Sequence, residues 1–327
     1  MKALFIGGTG NISTSVSRLA AASGIDLYLL HRNKATERVE GATSLIGDVG
    51  DVAELRRLID KYKFDCAVNW IAFTPADVER DIALFSGKVS QYIFIGTASS
   101  YQKPPVHPVI TESTPLRNPF WEYSHNKILC EKKLETAYRD TGFPVTVVRP
   151  SLTYDTHFPI AIGGWGCYTL ADRILKKQPI IVHGDGTSLW TVTHASDFAK
   201  GFVGLLGRQQ AVGQAFHITS DELLTWNQIY ETIARALGEE ANTVHIPSTF
   251  IAKTAPEVGA GLLGDKAHSA IFDNTKIKTY VPDYVATVPF ERGIEQTLRY
   301  FDEHPEKKIV NPEVNRVMDA LISAWGK

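Results

Sequence analysis

Charge of one sign is never gathered in this sequence: 34 basic and 36 acidic residues are mixed along 327 positions, for a net charge of −2. Such a surface lacks the basic stripe that grips a phosphate backbone, which argues against nucleic acid as a principal partner. Cysteine is scarce too. Cys66, Cys130 and Cys167 are widely spaced and form no Cys-x-x-Cys pair or ligand spacing, which argues against a disulfide framework or structural metal and fits a reducing compartment. No apolar run approaches the ~18 residues of a membrane span, and a strand-like run starts directly after Met1 and Lys2, leaving no room for a signal peptide. The expectation is a soluble cytoplasmic protein with neither metal nor membrane partner. Internal repeats and low-complexity tracts are also missing.

What is present is enough apolar material, 44% of residues, for a sizeable core. The length suits one large α/β unit with an appended lobe, or two domains. The organising stretch is Gly7-Gly8-Thr9-Gly10-Asn11-Ile12-Ser13. It follows the strand-like run Ala3 to Ile6 and precedes Val16, Leu19 and Ala20 at helical spacing. Glycines let backbone approach a ligand closely, and the unpaired N–H groups of a helix start favour a pyrophosphate. A dinucleotide site is the first hypothesis.

Strand-like runs then alternate with helical ones. Leu27 to His31, Thr43 to Ile46, Cys66 to Ile71, Tyr92 to Ile95 and Val145 to Pro150 read as strands, with helices over 51–62 and around 77–85. That alternation predicts a parallel sheet covered on both faces, with ligands beyond the carboxyl ends of the strands. Gly7, Arg32, Asp48, Ala72 and Thr97 all fall at such ends. No acidic residue stands after the second strand, where Arg32 and Lys34 do, which favours the 2′-phosphate of NADP and leaves NAD as the alternative. Val203 to Leu206 and Phe216 to Ile218 suggest returns to the sheet. The charge-poor stretch 255–263 reads as mobile or partner-contacting. Asn311 and Pro312 open a helix whose apolar stripe includes Val314, Val317 and Met318, read as core packing.

Tyr123 and Lys127 lie four apart in a helical pattern, on one face. A tyrosine becomes a useful base near neutral pH only if its pKa falls by about three units, or about 4 kcal/mol. An ammonium about 5 Å away supplies on the order of 3 kcal/mol at an effective dielectric of about 20. Thr97, ending the fifth strand, is placed to hold a substrate oxygen during hydride transfer.

With these residues in view, the chain resembles the extended short-chain dehydrogenases/reductases, the NAD-dependent epimerase/dehydratase family typified by UDP-galactose 4-epimerase. The matching segments are GGTGNIS at 7–13, GDVGD at 47–51, IGTASSYQ at 95–102, YSHNK at 123–127, VRPSLTYD at 148–155, GDGTSLWTVTHASDFAKG at 184–201 and DNTKI at 273–277. The resemblance implies a Rossmann-type doubly wound sheet over 1–155, with returns near 191–219. A smaller substrate-binding lobe would comprise 156–190 and 220–327. It implies Thr97, Tyr123 and Lys127 as the catalytic triad. The cofactor would be lined by Gly7, Gly10, Asn11, Ile12, Asp48, Val49, Ala72 and Lys127, with Pro150 and Ser151 at its nicotinamide end. It also implies a homodimer through helices at about 77–87 and 123–140.

The departures from the family pattern narrow the chemistry. Ser13 replaces a third glycine. Ala98 and Ser99 stand where sugar dehydratases carry an Asp-Glu pair, so elimination of water loses its acid and base. Trp190 occupies the place of an arginine that grips a substrate diphosphate, which turns the expectation from UDP-linked sugars toward free sugars, glycosides or other hydroxyl compounds. Ser99, Trp121, Trp165, Trp190 and His194 are the expected substrate contacts. The expected activity is oxidation, reduction or epimerisation at a secondary hydroxyl or ketone of a sugar-like small molecule. A nucleotide-sugar epimerase is the alternative, as is a non-catalytic cofactor- or RNA-binding relative, against which the intact Thr/Tyr/Lys set and near-neutral charge speak.

Overall fold

The structure is a computed structural model that describes residues 1–32 and 38–326. Lys34 lies outside them. Seven parallel strands form the central sheet: β1 (Lys2–Ile6), β2 (Asp26–His31), β3 (Thr43–Ile46), β4 (Cys66–Asn69), β5 (Gln91–Ile95), then Val145–Pro150 and Ala215–Ile218. Their spatial order is Ala215–Ile218, Val145–Pro150, β5, β4, β1, β2, β3. The order reverses at β1, where a crevice opens at the carboxyl edge of such sheets.

Apart from the edge strand β3, where only Leu45 is buried, the strands are largely buried on both faces, and their alternation sorts side chains into two cores. Ala3 and Phe5 of β1 join Leu27, Leu29, Cys66 and Val68 on one face. Leu4 and Ile6 join Leu30, Ala67, Tyr92 and Phe94 on the other. Ile6 pairs with Leu30 on one side and Asn69 on the other, so these strands end level. Gly7, Arg32, Ala72 and Thr97 therefore follow one sheet edge.

Helix starts follow local chemistry. Asp51 caps α2 (Val52–Tyr62) by accepting from the Glu54 N–H at 2.9 Å. Thr74 and Asp77 form a reciprocal capping box at the start of α3 (Pro75–Phe85). The helix after β1, α1 (Ser13–Ala22), has no side-chain cap and no acidic residue in its first turn. Helix α4 (Glu122–Thr141) packs on α3.

A third core is built around Tyr154, Ile180 to Val182, Trp190, Trp226, Ile229 and Leu321. One sequence expectation changes here. Val203 to Leu206 does not return to the sheet: Val203 to Leu205 ends helix Ala195–Leu205, whose buried Phe198, Phe202 and Leu205 repeat at helical spacing. The return is made by Phe216 to Ile218 alone, pairing with Val148 to Pro150. The stretch 255–263 is helical, with Pro256–Gly261 running into a π-helical turn, Leu262–Lys266. Among the described residues no helix is long and apolar enough to cross a membrane.

Candidate active site

At the glycine turn, Gly7 has φ +87° and Gly8 φ +108°, a region that side chains other than glycine rarely adopt. A Cβ on Gly8 would stand 3.0 Å from Leu29 and 3.1 Å from the Ser17 hydroxyl. The backbone is thus pressed against the sheet, directly before an uncapped helix N-terminus. That arrangement fits a dinucleotide pyrophosphate, with Gly7, Gly10 and Ile12 around it. Asn11 ties the turn to the chain after Pro150 instead of standing free: its Nδ2 donates to the Thr153 carbonyl at 3.1 Å, and its Oδ1 accepts from the Asp155 N–H at 3.2 Å. Ser13, in place of glycine, accepts from the Gly10 N–H at 2.8 Å and so stabilises the turn.

Toward the adenosine side, Arg32 is exposed just past β2. Asp48 accepts from the Gly50 N–H at 2.8 Å, fixing the loop after β3, and Val49 packs against the neighbouring core.

The catalytic candidates come together at the same edge. Thr97 caps a single 3₁₀ turn, Ala98–Ser100. Its Oγ1 lies 2.9 Å from the Ser99 hydroxyl, which in turn lies 2.6 Å from the hydroxyl of buried Ser124. Lys127 is buried and donates to the carbonyls of Ala72 at 2.7 Å and Ile95 at 2.8 Å. Burial pushes its pKa down to about 8.

The expected depression of Tyr123 by Lys127 is not what governs this phenol. Burial pushes its pKa up, hydrogen bonding with Thr97 draws it down, and the Asp265 carboxylate pushes it up again. The ammonium is turned toward the two carbonyls and lies 5.9 Å from the Tyr123 ring centre. Burial and Asp265 thus act against the depression that Lys127 was expected to supply.

Thr97, Ser99 and Tyr123 open into a cavity of about 690 Å³ that is also lined by Pro150, Ser151, Trp121 and Trp165. Trp190 and His194 stand elsewhere. Trp190 is 1% exposed and packs on Trp226 at 5.3 Å, and the His194 Nδ1 pairs with the Ser196 hydroxyl at 2.8 Å. Neither lines the cavity.

The cavity also has walls that sequence reasoning did not assign to the site: Ile160, Ile162, Val258, Val314, Val317 and Met318. Their apolar pattern was visible, but which side of each helix meets a cavity is set by tertiary packing. No arginine is among the described residues lining the cavity. No group of His, Cys, Asp or Glu among the described residues could hold a metal ion.

Comparison with known proteins agrees with this architecture. A family model described as NAD dependent epimerase/dehydratase family matches residues 3–219. The 2'-dehydrokanamycin reductase of Streptomyces kanamyceticus is 24% identical over 291 residues, covering 87% of this chain and 80% of that one. Chloroplast stem-loop binding protein of 41 kDa b from Arabidopsis thaliana is 24% identical over 75% of this chain and 65% of its own. Among solved structures, the UDP-glucuronic acid 4-epimerase of Bacillus cereus in complex with NAD superposes with a TM-score of 0.74 at 16% identity, covering 94% of this chain and 98% of that one.

Proposed function

The chain belongs to the NAD dependent epimerase/dehydratase family, and from that premise we propose that it is an NADP-linked oxidoreductase acting on a secondary hydroxyl or ketone of a sugar-like small molecule. The observation that carries this reading is the convergence of Thr97, Ser99 and Tyr123 on one cavity whose described lining has no arginine. The similarity to a reductase along most of both chains supports it.

When bound, the nicotinamide cofactor supplies or receives the hydride. The rest falls to this chain. Gly7, Gly10 and Ile12 would hold the pyrophosphate, and Pro150 and Ser151 would border the nicotinamide end. Thr97 orients the substrate oxygen, and Ser99 and Ser124 fix the direction of the Thr97 hydroxyl. Tyr123, held as a phenol, delivers its hydroxyl proton to a ketone oxygen in the reductive direction. Lys127 braces the strand ends beneath it. Arg32, with no acidic residue next to it in the sequence, would pair with a 2′-phosphate.

Epimerisation of a nucleotide sugar is disfavoured because a diphosphate finds no arginine on the wall. RNA binding is disfavoured by a net charge of −2. A cytoplasmic location and a homodimer through α3 and α4 belong to the same proposal. Those two helices are already joined by an ion pair between Lys133 and Glu79, and sedimentation reads the assembly.

The test is Tyr123→Phe, assayed as NADPH oxidation against a panel of keto sugars and keto glycosides and as NADP reduction against the corresponding alcohols. Turnover is expected to fall at least about 100-fold with cofactor binding retained. Activity within about tenfold of the parent overturns the assignment.

A further inference from the structure

The far wall of the cavity is built by chain beyond the segment that defines the family. Val258 comes from helix Pro256–Gly261, and Val314, Val317 and Met318 come from helix Pro312–Trp325, both past residue 219. Ile160 and Ile162 complete a hydrocarbon surface.

Helix Pro312–Trp325 is seated by polar ties. Arg173, 1% exposed, donates to the Asn315 side chain at 3.0 Å and to the Asp319 carboxylate at 2.7 Å. The Asn311 side chain accepts from the Glu313 N–H at 2.9 Å and caps the first turn. These ties hold Val314, Val317 and Met318 against the cavity.

The charges at the rim are already committed to one another. Asp265 lies 3.6 Å from Lys103 and 3.6 Å from Lys266, and the Lys266 ammonium also sits over the Trp121 ring at 5.2 Å. Glu313 pairs with Arg316 at 2.5 Å, and Arg316 also feels the carboxylate of Glu257. Of these charges Glu257, Asp265, Glu313 and Lys266 line the cavity, while Lys103 and Arg316 stand outside the lining. The one cation on the wall is committed to Asp265 and Trp121, which leaves none for a diphosphate. A cavity of about 690 Å³ is of the size that encloses a drug-sized ligand, and such ligands bind chiefly by apolar contact with a few polar anchors.

We propose that the substrate is a conjugate without an anionic group, in which the reacting hydroxyl- or keto-bearing ring at Thr97 and Tyr123 is joined to an apolar aryl or alkyl body lying against Val314, Val317 and Met318. The inference rests on reading this cavity as the substrate site, as above. Specificity for the apolar body is then set by helix Pro312–Trp325, while the proton chemistry is set at the sheet edge.

The test is a binding measurement that needs no turnover. N-phenyl-1-naphthylamine, a neutral apolar fluorophore, is titrated into the full chain saturated with NADPH. Phenyl β-glucoside, methyl β-glucoside and UDP-glucose are then used as competitors. Saturable probe binding is expected, displaced by phenyl β-glucoside at concentrations at least about tenfold below those needed for the other two. Val317→Glu is expected to weaken the probe at least about tenfold with NADPH affinity and melting temperature retained; should it fail to fold, Val314→Glu at the neighbouring position gives the same reading.

The proposal is overturned by non-saturable probe binding, by probe affinity unchanged in the folded valine variant, or by displacement with UDP-glucose or methyl β-glucoside at concentrations as low as phenyl β-glucoside. The outcome is separable from the catalytic reading. Apolar binding with turnover that survives Tyr123→Phe removes only the role of Tyr123, whereas loss of turnover without apolar binding removes only this inference.

Discussion

The Nζ of Lys127 donates to the carbonyl oxygen of Ala72 at 2.7 Å, joining α4 to the chain beyond β4. Its second bond, to Ile95 at 2.8 Å, reaches the end of β5. One buried cation thus bridges two neighbouring strand ends at the sheet edge where Thr97 also stands.

Because burial draws the pKa of Lys127 down to about 8, its ammonium is charged below that pH and lost above it. Reductive kcat/KM is expected to decline as pH rises through about 8. Lys127→Met should remove that limb and lower kcat/KM about 100-fold at neutral pH. A pH–rate profile of both proteins checks this; the same alkaline limb in the variant assigns it to another group.

In the proposed function, Arg32 carries the choice of cofactor. Arg32→Ala is expected to weaken NADPH about tenfold or more and leave NADH nearly unchanged, since one charge-assisted pair with the 2′-phosphate is lost. Equilibrium titration with both cofactors reads the difference, and an unchanged preference refutes the NADP assignment.

Glu131 and Arg149 form a buried ion pair, 6% and 7% exposed, with Nη2 to Oε2 at 2.6 Å. It bolts α4, one turn beyond Lys127, to the strand that ends in Pro150. Glu131→Gln leaves the guanidinium without its countercharge and should cost about 3–5 kcal/mol in urea unfolding. Replacing both partners, Glu131→Leu with Arg149→Met, should recover much of the loss. A single variant as stable as the parent would show that the pair does not brace the site.

His183 is 2% exposed, and burial pushes its pKa from the ordinary 6.5 down to about 4, with the bond to the Lys266 carbonyl offsetting part of that fall. The unfolded chain takes up this proton below about 6.5 while the folded protein resists until about 4. Stability is therefore expected to fall with pH across that window, by at most about 3 kcal/mol from this residue. His183→Gln should flatten the slope of unfolding free energy against pH. An unaltered slope locates the effect at another histidine.

The fold was legible where local signals are strong. The glycine turn, the first five strands and the Tyr123/Lys127 spacing each follow from a short window, because parallel strands buried on both faces give unbroken apolar runs. Val203 to Leu205 misled for the same reason: a short apolar run suits a buried strand and a buried helix end equally, and only Phe198 and Phe202 upstream decide between them. The electrostatics of Tyr123 were not legible, since spacing places Lys127 on the same face but not where its ammonium turns. The two carbonyls that capture it come from distant strand ends. The cavity wall of Val258, Val314, Val317 and Met318 was hidden likewise, as an apolar stripe does not say whether it meets core or cavity. Trp190 is the converse case: its place in the motif is clear, but its indole is spent against Trp226.

The seating of helix Pro312–Trp325 by Arg173, Asn315 and Asp319 has a consequence for how such a protein can diversify. The helix touches the cavity through a handful of side chains and is anchored by bonds on residues that do not line it. Its cavity-facing positions can therefore drift while the anchors and the sheet edge stay unchanged. A library confined to 314, 317 and 318 should retune which molecules are admitted without rebuilding the machinery that transforms them.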